Sequence, residues 1–175
     1  MKIKPIELTT LAMILTACLC LSMLESMLPI PSPVPGVKLG LANVLVMFVC
    51  FNIGIRQALL VVILKSIFVL LTRGLLAGLL SASGGLAALI VLVLLLHFNK
   101  SMGVVGMSIS AAITHNLAQF VLVCWILGSV WMIYLLPILF LSGVFMGSIT
   151  AVIHMGCNPV LARVMRRTVP SWYKN

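Results

Sequence analysis

Residues 56–74 read RQALLVVILKSIFVLLTRG, an apolar run bounded by Arg56 and Arg73 with Lys65 as the one charge between them. The hydrocarbon core of a bilayer is about 30 Å thick, and about 20 helical residues are needed to cross it. A run of this length and composition therefore predicts a transmembrane helix.

The whole chain has the same character. Of its 175 residues, 63% are hydrophobic and 7% are charged, whereas soluble proteins carry about 25% charged residues. Glu7 and Glu25 are the only acidic residues, against eleven Lys and Arg. We therefore expect an integral membrane protein, and we interpret the net charge of +9 as a topology signal rather than as a nucleic-acid surface.

Six apolar stretches are candidates for helices that cross the bilayer. Connections with an even number are basic and those with an odd number are not, which predicts that both termini face the cytoplasm. The expected fold is an all-α six-helix transmembrane bundle over residues 1–158, followed by a basic cytoplasmic tail over 159–175. The predicted spans cover residues 7–28, 38–54, 56–74, 84–98, 102–127 and 131–155.

The third connection is unusual, because residues 74–85 (GLLAGLLSASGG) are apolar and rich in small residues. The span that follows is also short. Both features predict a broken or re-entrant element here, which is tolerated in a membrane only where protein or a water-filled cavity covers the backbone.

Small residues four positions apart allow helices to approach closely. Gly74 with Gly78, and Gly143 with Gly147, are such pairs. On the first helix a similar patch serves either packing within the bundle or docking of a partner membrane protein. Its residues are Ala12, Thr16 and Ala17.

Polar and ionisable residues inside a membrane are costly and usually face the bundle interior or a cavity. With the predicted topology, seven of them fall in the outer half of the membrane and form a candidate substrate-binding set. They are Glu25, Lys38, Asn43, Arg73, His115, Asn116 and Gln119. Lys65 lies near mid-membrane, where it either bonds a helix carbonyl or lines a cavity.

Structural alternatives exist for each of these residues. Lys38 and Arg73 can extend to the outer interface, and Glu25 can pair with either of them. His115, Asn116 and Gln119 share one helix face, where they act either as interhelical hydrogen bonds or as a ligand or proton site. The stiff segment 29–36 (PIPSPVPG) either caps an outward cavity or simply turns the chain.

Motifs for most enzymatic chemistry are missing from the sequence. It contains no phosphate-binding GxxxxGK[ST] loop, no GxSxG nucleophile elbow, no zinc-ligand spacing and no aspartate. The chain therefore cannot itself hold the magnesium that prenyl diphosphate chemistry requires. We expect a protein that is not an enzyme and that has no metal and no cofactor.

The segment 29–43 (PIPSPVPGVKLGLAN) and the motif HNLAQ at 115–119 resemble a family of membrane proteins catalogued as Gx transporter and as heptaprenyl diphosphate synthase component I. That family is similar to the S-components of energy-coupling-factor transporters. S-components are small six-helix proteins that capture a substrate from outside and borrow an ATPase module. The resemblance implies a similar fold and a docking role for Ala12, Thr16 and Ala17.

Two classes of function follow. The first is a transport protein, or its substrate-capturing subunit, that binds a small anionic solute and uses an ion gradient or a partner ATPase. The second is a non-catalytic membrane subunit, either of a heptaprenyl diphosphate synthase or of a membrane redox complex. In both cases the expected location is the inner membrane of a bacterium.

Overall fold

A computed structural model describes residues 5–27, 41–98, 102–128 and 130–165 of the chain. Every regular element in these residues is helical, and the six α-helices form one bundle. A short 3-10 turn at Val130–Leu135 leads into the last helix. The helices are α1 (Pro5–Met27), α2 (Leu41–Asn52), α3 (Ile55–Arg73), α4 (Leu75–Phe98), α5 (Val104–Leu127) and α6 (Leu136–Met165).

Four helices are long and apolar enough to cross a bilayer, namely α3, α4, α5 and most of α6. The expected all-helical membrane bundle is therefore confirmed. Helix α2 has 12 residues and is about 18 Å long, which is less than the thickness of the hydrocarbon core. The cytoplasmic location of both termini stays a prediction.

The prediction of a broken or re-entrant element at residues 74–85 is wrong, and so is the short fourth span. These residues form the first half of α4, which is a continuous helix of 24 residues. The break lies at Gly74, whose φ of 88° suits glycine and separates α3 from α4. The small residues that suggest a loop instead let α4 lie close to its neighbours, with Gly78 against Leu70 and Gly85 against Val62.

Helices α5 and α6 share the most extensive interface of the bundle. Gly143 and Gly147 of α6 lie against the backbone of α5, as predicted for this pair. A Cβ atom on Gly147 would lie 2.5 Å from the Cα atom of Ile109. The backbone contact is reinforced by Ser108, whose hydroxyl donates a 2.8 Å hydrogen bond to the Gly147 carbonyl.

Two apolar clusters lie at different heights in the bundle. The larger cluster joins α1, α2 and α3 to the second half of α4 and the first turn of α5. The smaller cluster consists of Leu80, Phe120, Val123 and Leu139. Along α5 the buried polar residues fall between the parts of the helix that enter these two clusters, namely Ser108, His115, Asn116 and Gln119.

Some sequence predictions lie outside the described residues. These include Lys38, the segment 29–36 and residues 166–175 of the predicted tail. Helix α6 continues through Met165, so the first residues of that tail belong to the same helix as the last span.

We predict that Gly147→Ala destabilises the protein, because the added methyl group would overlap backbone atoms of α5 that cannot move aside separately. Overpacking of this kind typically costs about 1–3 kcal/mol. The measurement is the thermal unfolding temperature in detergent. The matched control is Gly156→Ala on the same helix, where an added Cβ meets nothing within 4 Å. Equal unfolding temperatures for the two variants would contradict the proposed packing.

Candidate functional site

A polar cavity of about 30 Å³ lies between α1, α2, α3, α4 and α5. Most of the residues that line it are polar, although the five helices around it are apolar. It is near the end of the bundle at which α1 and α3 finish and α4 begins. The lining residues are Ser22, Glu25, Ala42, Lys65, Val69, Arg73, Ala77, Ser81, His115 and Gln119.

A chain of hydrogen bonds connects three helices beside this cavity. The Lys65 Nζ of α3 donates to the Asn43 Oδ1 of α2 at 2.7 Å. The Asn43 Nδ2 lies 3.0 Å from the Nδ1 of His115 on α5. Lys65 and His115 are both buried, so each depends on protein partners to replace water.

The donor at the start of the chain fixes the direction of every hydrogen bond in it. A lysine ammonium group can only donate, so the oxygen of the Asn43 amide must face Lys65 and its NH₂ group must face His115. The Nδ1 of His115 then accepts, which leaves the ring hydrogen of the neutral imidazole on Nε2. This histidine therefore has a defined tautomer.

Glycine on α4 makes room for the imidazole ring. A Cβ atom on Gly84 would lie 2.6 Å from the Cε1 of His115. On its other side His115 reaches a second cavity of about 40 Å³, whose lining includes Asn43, Ser108, Asn116 and apolar side chains. His115 thus borders both cavities.

The two charged residues at the end of the bundle belong to the polar cavity. A guanidinium nitrogen of Arg73 (Nη2) donates to the main-chain carbonyl of Ser22 on α1. Glu25 is buried one turn further along α1, and its carboxylate interacts electrostatically with both Arg73 and Lys65. Within the described residues, the Nη1 of Arg73 has no hydrogen-bond partner.

Gln119 and Asn116 point to different neighbours. The Nε2 of Gln119 donates to the Leu80 carbonyl of α4 at 3.2 Å, and its Oε1 has no partner among the described residues. Asn116 instead donates to the Leu139 carbonyl and to the Ser142 hydroxyl of α6, each at 3.1 Å. Asn116 therefore joins α5 to α6, while Gln119 lines the polar cavity.

The structure brings most of the predicted site residues together. Four of them line the polar cavity, namely Glu25, Arg73, His115 and Gln119. Asn43 lines the second cavity and bonds Lys65 and His115 of the polar one, whereas Asn116 faces the second cavity and α6. Lys38 lies outside the described residues.

The candidate docking patch on α1 lies on the surface of the bundle. Ala12, Thr16 and Ala17 are all exposed, and the Thr16 hydroxyl donates to the Ala12 carbonyl of its own helix at 2.9 Å. In the described part of the chain, no other helix covers this patch.

The candidate set did not include every polar residue of the site. Ser22 lies one helical turn before Glu25, a spacing that signals a shared face. Ser81 lies within residues 74–85, for which the sequence predicts a connection. A third polar residue that the candidate set omits is His154, which is not among the residues that line the polar cavity. It is buried between the rings of Phe48 and Phe51, and its ring nitrogens have no partner among the described residues.

No group of three or more His, Cys, Asp or Glu side chains could hold a metal ion within the residues that the structure describes. The arrangement instead offers charge, hydrogen-bond donors and one free amide oxygen to a small molecule.

We predict that ¹⁵N NMR of the detergent-solubilised protein will show an unprotonated Nδ1 at His115. Asn43→Asp replaces the donor that faces this nitrogen with a carboxylate oxygen, so Nδ1 should then carry a hydrogen. His115→Gln identifies the signal by its loss. A hydrogen on Nδ1 in the unmodified protein would contradict the direction of the chain.

Residues 14–156 match the family described as heptaprenyl diphosphate synthase component I, and the chain belongs to this family. No curated protein matches the sequence, and no solved structure matches the fold.

Proposed function

We propose that this member of the heptaprenyl diphosphate synthase component I family is a membrane protein that captures a small anionic solute, as part of a transport process. The observation that supports the proposal most is the polar cavity, which is lined by the buried Lys65 and Glu25 and by the half-buried Arg73 among apolar helices. Ionisable groups inside a membrane are expensive, and they commonly mark the path of a substrate or an ion.

The charge of the cavity favours an anion. Lys65 and Arg73 each contribute a positive charge, and Glu25 contributes one negative charge. One net positive charge in a poorly solvated enclosure attracts a monoanion more strongly than a neutral or cationic solute. Arg73 also keeps a donor nitrogen available at Nη1.

Transport requires that the cavity opens to each side in turn, so the solute-capturing protein needs a source of energy. An ion gradient or a partner ATPase would supply it. The exposed patch of Ala12, Thr16 and Ala17 offers a small-residue surface to such a partner in the membrane. We propose the inner membrane of a bacterium as the location.

A second candidate function is a non-catalytic membrane subunit that tethers a prenyl diphosphate synthase. The description of the family favours it. A diphosphate group has nine heavy atoms, whereas a cavity of about 30 Å³ holds roughly two or three water-sized groups. In this role the protein would therefore act as a tether and not as the holder of the substrate.

Removal of a positive charge from the cavity should weaken binding. We expect Arg73→Gln and Lys65→Met to bind nitrate about 10- to 100-fold more weakly than the unmodified protein, since a charged hydrogen bond contributes about 1.5–3 kcal/mol. Isothermal titration calorimetry in detergent measures this loss. The matched control is Arg56→Gln, which removes an exposed arginine at the opposite end of α3. Equal losses in all three variants would refute the placement of the site.

Copurification separates the two candidate functions. Mild solubilisation and affinity capture of the native protein should retain a membrane ATPase or no partner if the protein captures a solute. Stoichiometric recovery of a soluble, aspartate-rich synthase would favour the tethering role.

A further inference from the structure

We infer that the solute of the polar cavity is a small monoanion that carries its own hydrogen-bond donor, an O–H or N–H group. This inference rests on the proposed function and specifies the class of substrate. It follows from two buried atoms with opposite hydrogen-bonding needs, which belong to two residues that line this cavity.

The first atom is the Oε1 of Gln119. Gln119 is 4% exposed, and its Nε2 must face the Leu80 carbonyl because a carbonyl can only accept. Its Oε1 is therefore held in a fixed direction, without a partner among the described residues. A buried acceptor without a partner is costly, so a bound molecule that donates to it gains affinity.

The second atom is the Nη1 of Arg73. The other terminal nitrogen of the guanidinium group, Nη2, donates to the Ser22 carbonyl, and this bond fixes the plane of the group. Nη1 is buried and has no partner in the described residues, and it can only donate. An anionic oxygen is its strongest partner, because hydrogen bonds between charged groups are roughly twice as strong as neutral ones.

A halide, nitrate or deprotonated carboxylate would satisfy Arg73 and leave Gln119 without a donor. A neutral alcohol or amide would satisfy Gln119 and leave the net positive charge uncompensated. The cavity volume of about 30 Å³ has room for roughly two or three water-sized groups, which limits the solute to a small ion with about three oxygen atoms around one centre. A small oxyanion that retains one hydroxyl group meets all three requirements.

Bicarbonate and nitrate are a matched pair of probes for this idea. Both are planar ions with three oxygen atoms around one centre and one negative charge, but only bicarbonate carries a hydrogen on one of its oxygens. Calorimetric titration of the full-length protein in detergent at pH 8 should give a dissociation constant for bicarbonate about tenfold lower than for nitrate.

Substitution of Gln119 tests whether its side chain accepts the hydrogen bond from the hydroxyl group of the solute. Gln119→Met keeps the length of the side chain but removes the acceptor, so the ratio of the two dissociation constants should fall to about one. Thr114→Val on the same helix is the control, because Thr114 lines a groove outside this cavity and its hydroxyl bonds its own helix. In this variant the tenfold ratio should persist.

The outcomes are distinguishable. If nitrate binds as tightly as bicarbonate to the unmodified protein, the inference fails while anion capture survives. If neither ion binds, water alone fills the cavity, and the inference and the proposed function both fail. If Gln119→Met retains the tenfold ratio of the two dissociation constants, a group other than Gln119 binds the hydroxyl, and the inference is overturned.

Discussion

A buried ammonium group is the constraint on which this bundle depends. Lys65 lies in the middle of an apolar helix, and a charge that loses its water costs several kcal/mol unless other groups replace it. Asn43 supplies an oxygen at 2.7 Å, and the Glu25 carboxylate supplies an opposite charge nearby. Since these groups come from α2 and α1, the charge on α3 requires both helices to pack around it. The polar cavity is the space that remains where they meet.

Glycine and serine make this arrangement sterically possible. Gly84 provides room for the His115 ring, and Gly147 lets α6 contact the α5 backbone directly. In a membrane, where lipid tails are as apolar as leucine side chains, such close packing and a few interhelical hydrogen bonds hold helices together. The residues that shape the cavity are therefore also those that stabilise the fold around it.

Much of this architecture could be predicted from the sequence. Charged residues are costly in a bilayer, so they are rare in the spans, and the few that occur indicate where the interior is polar. The helical class and the clustering of Glu25, Arg73, His115 and Gln119 followed from that rule. The start of α4 could not be predicted in this way. A segment rich in small residues has the same composition whether it packs in a tight helix interface or forms a loop. The different partners of Asn116 and Gln119 could not be predicted either. Their spacing on α5 shows that they share a face, but it does not show which neighbouring helix each amide contacts.

The hydrogen-bond chain from Lys65 through Asn43 to His115 has one fixed direction. Each amide or ring along it must present its acceptor toward the ammonium and its donor away from it. An acidic residue at position 65 would demand the reverse, so Asn43 would rotate and the imidazole hydrogen would move to the opposite nitrogen. The sign of one side chain on α3 is thereby transmitted to the far side of a ring on α5 without displacement of any helix.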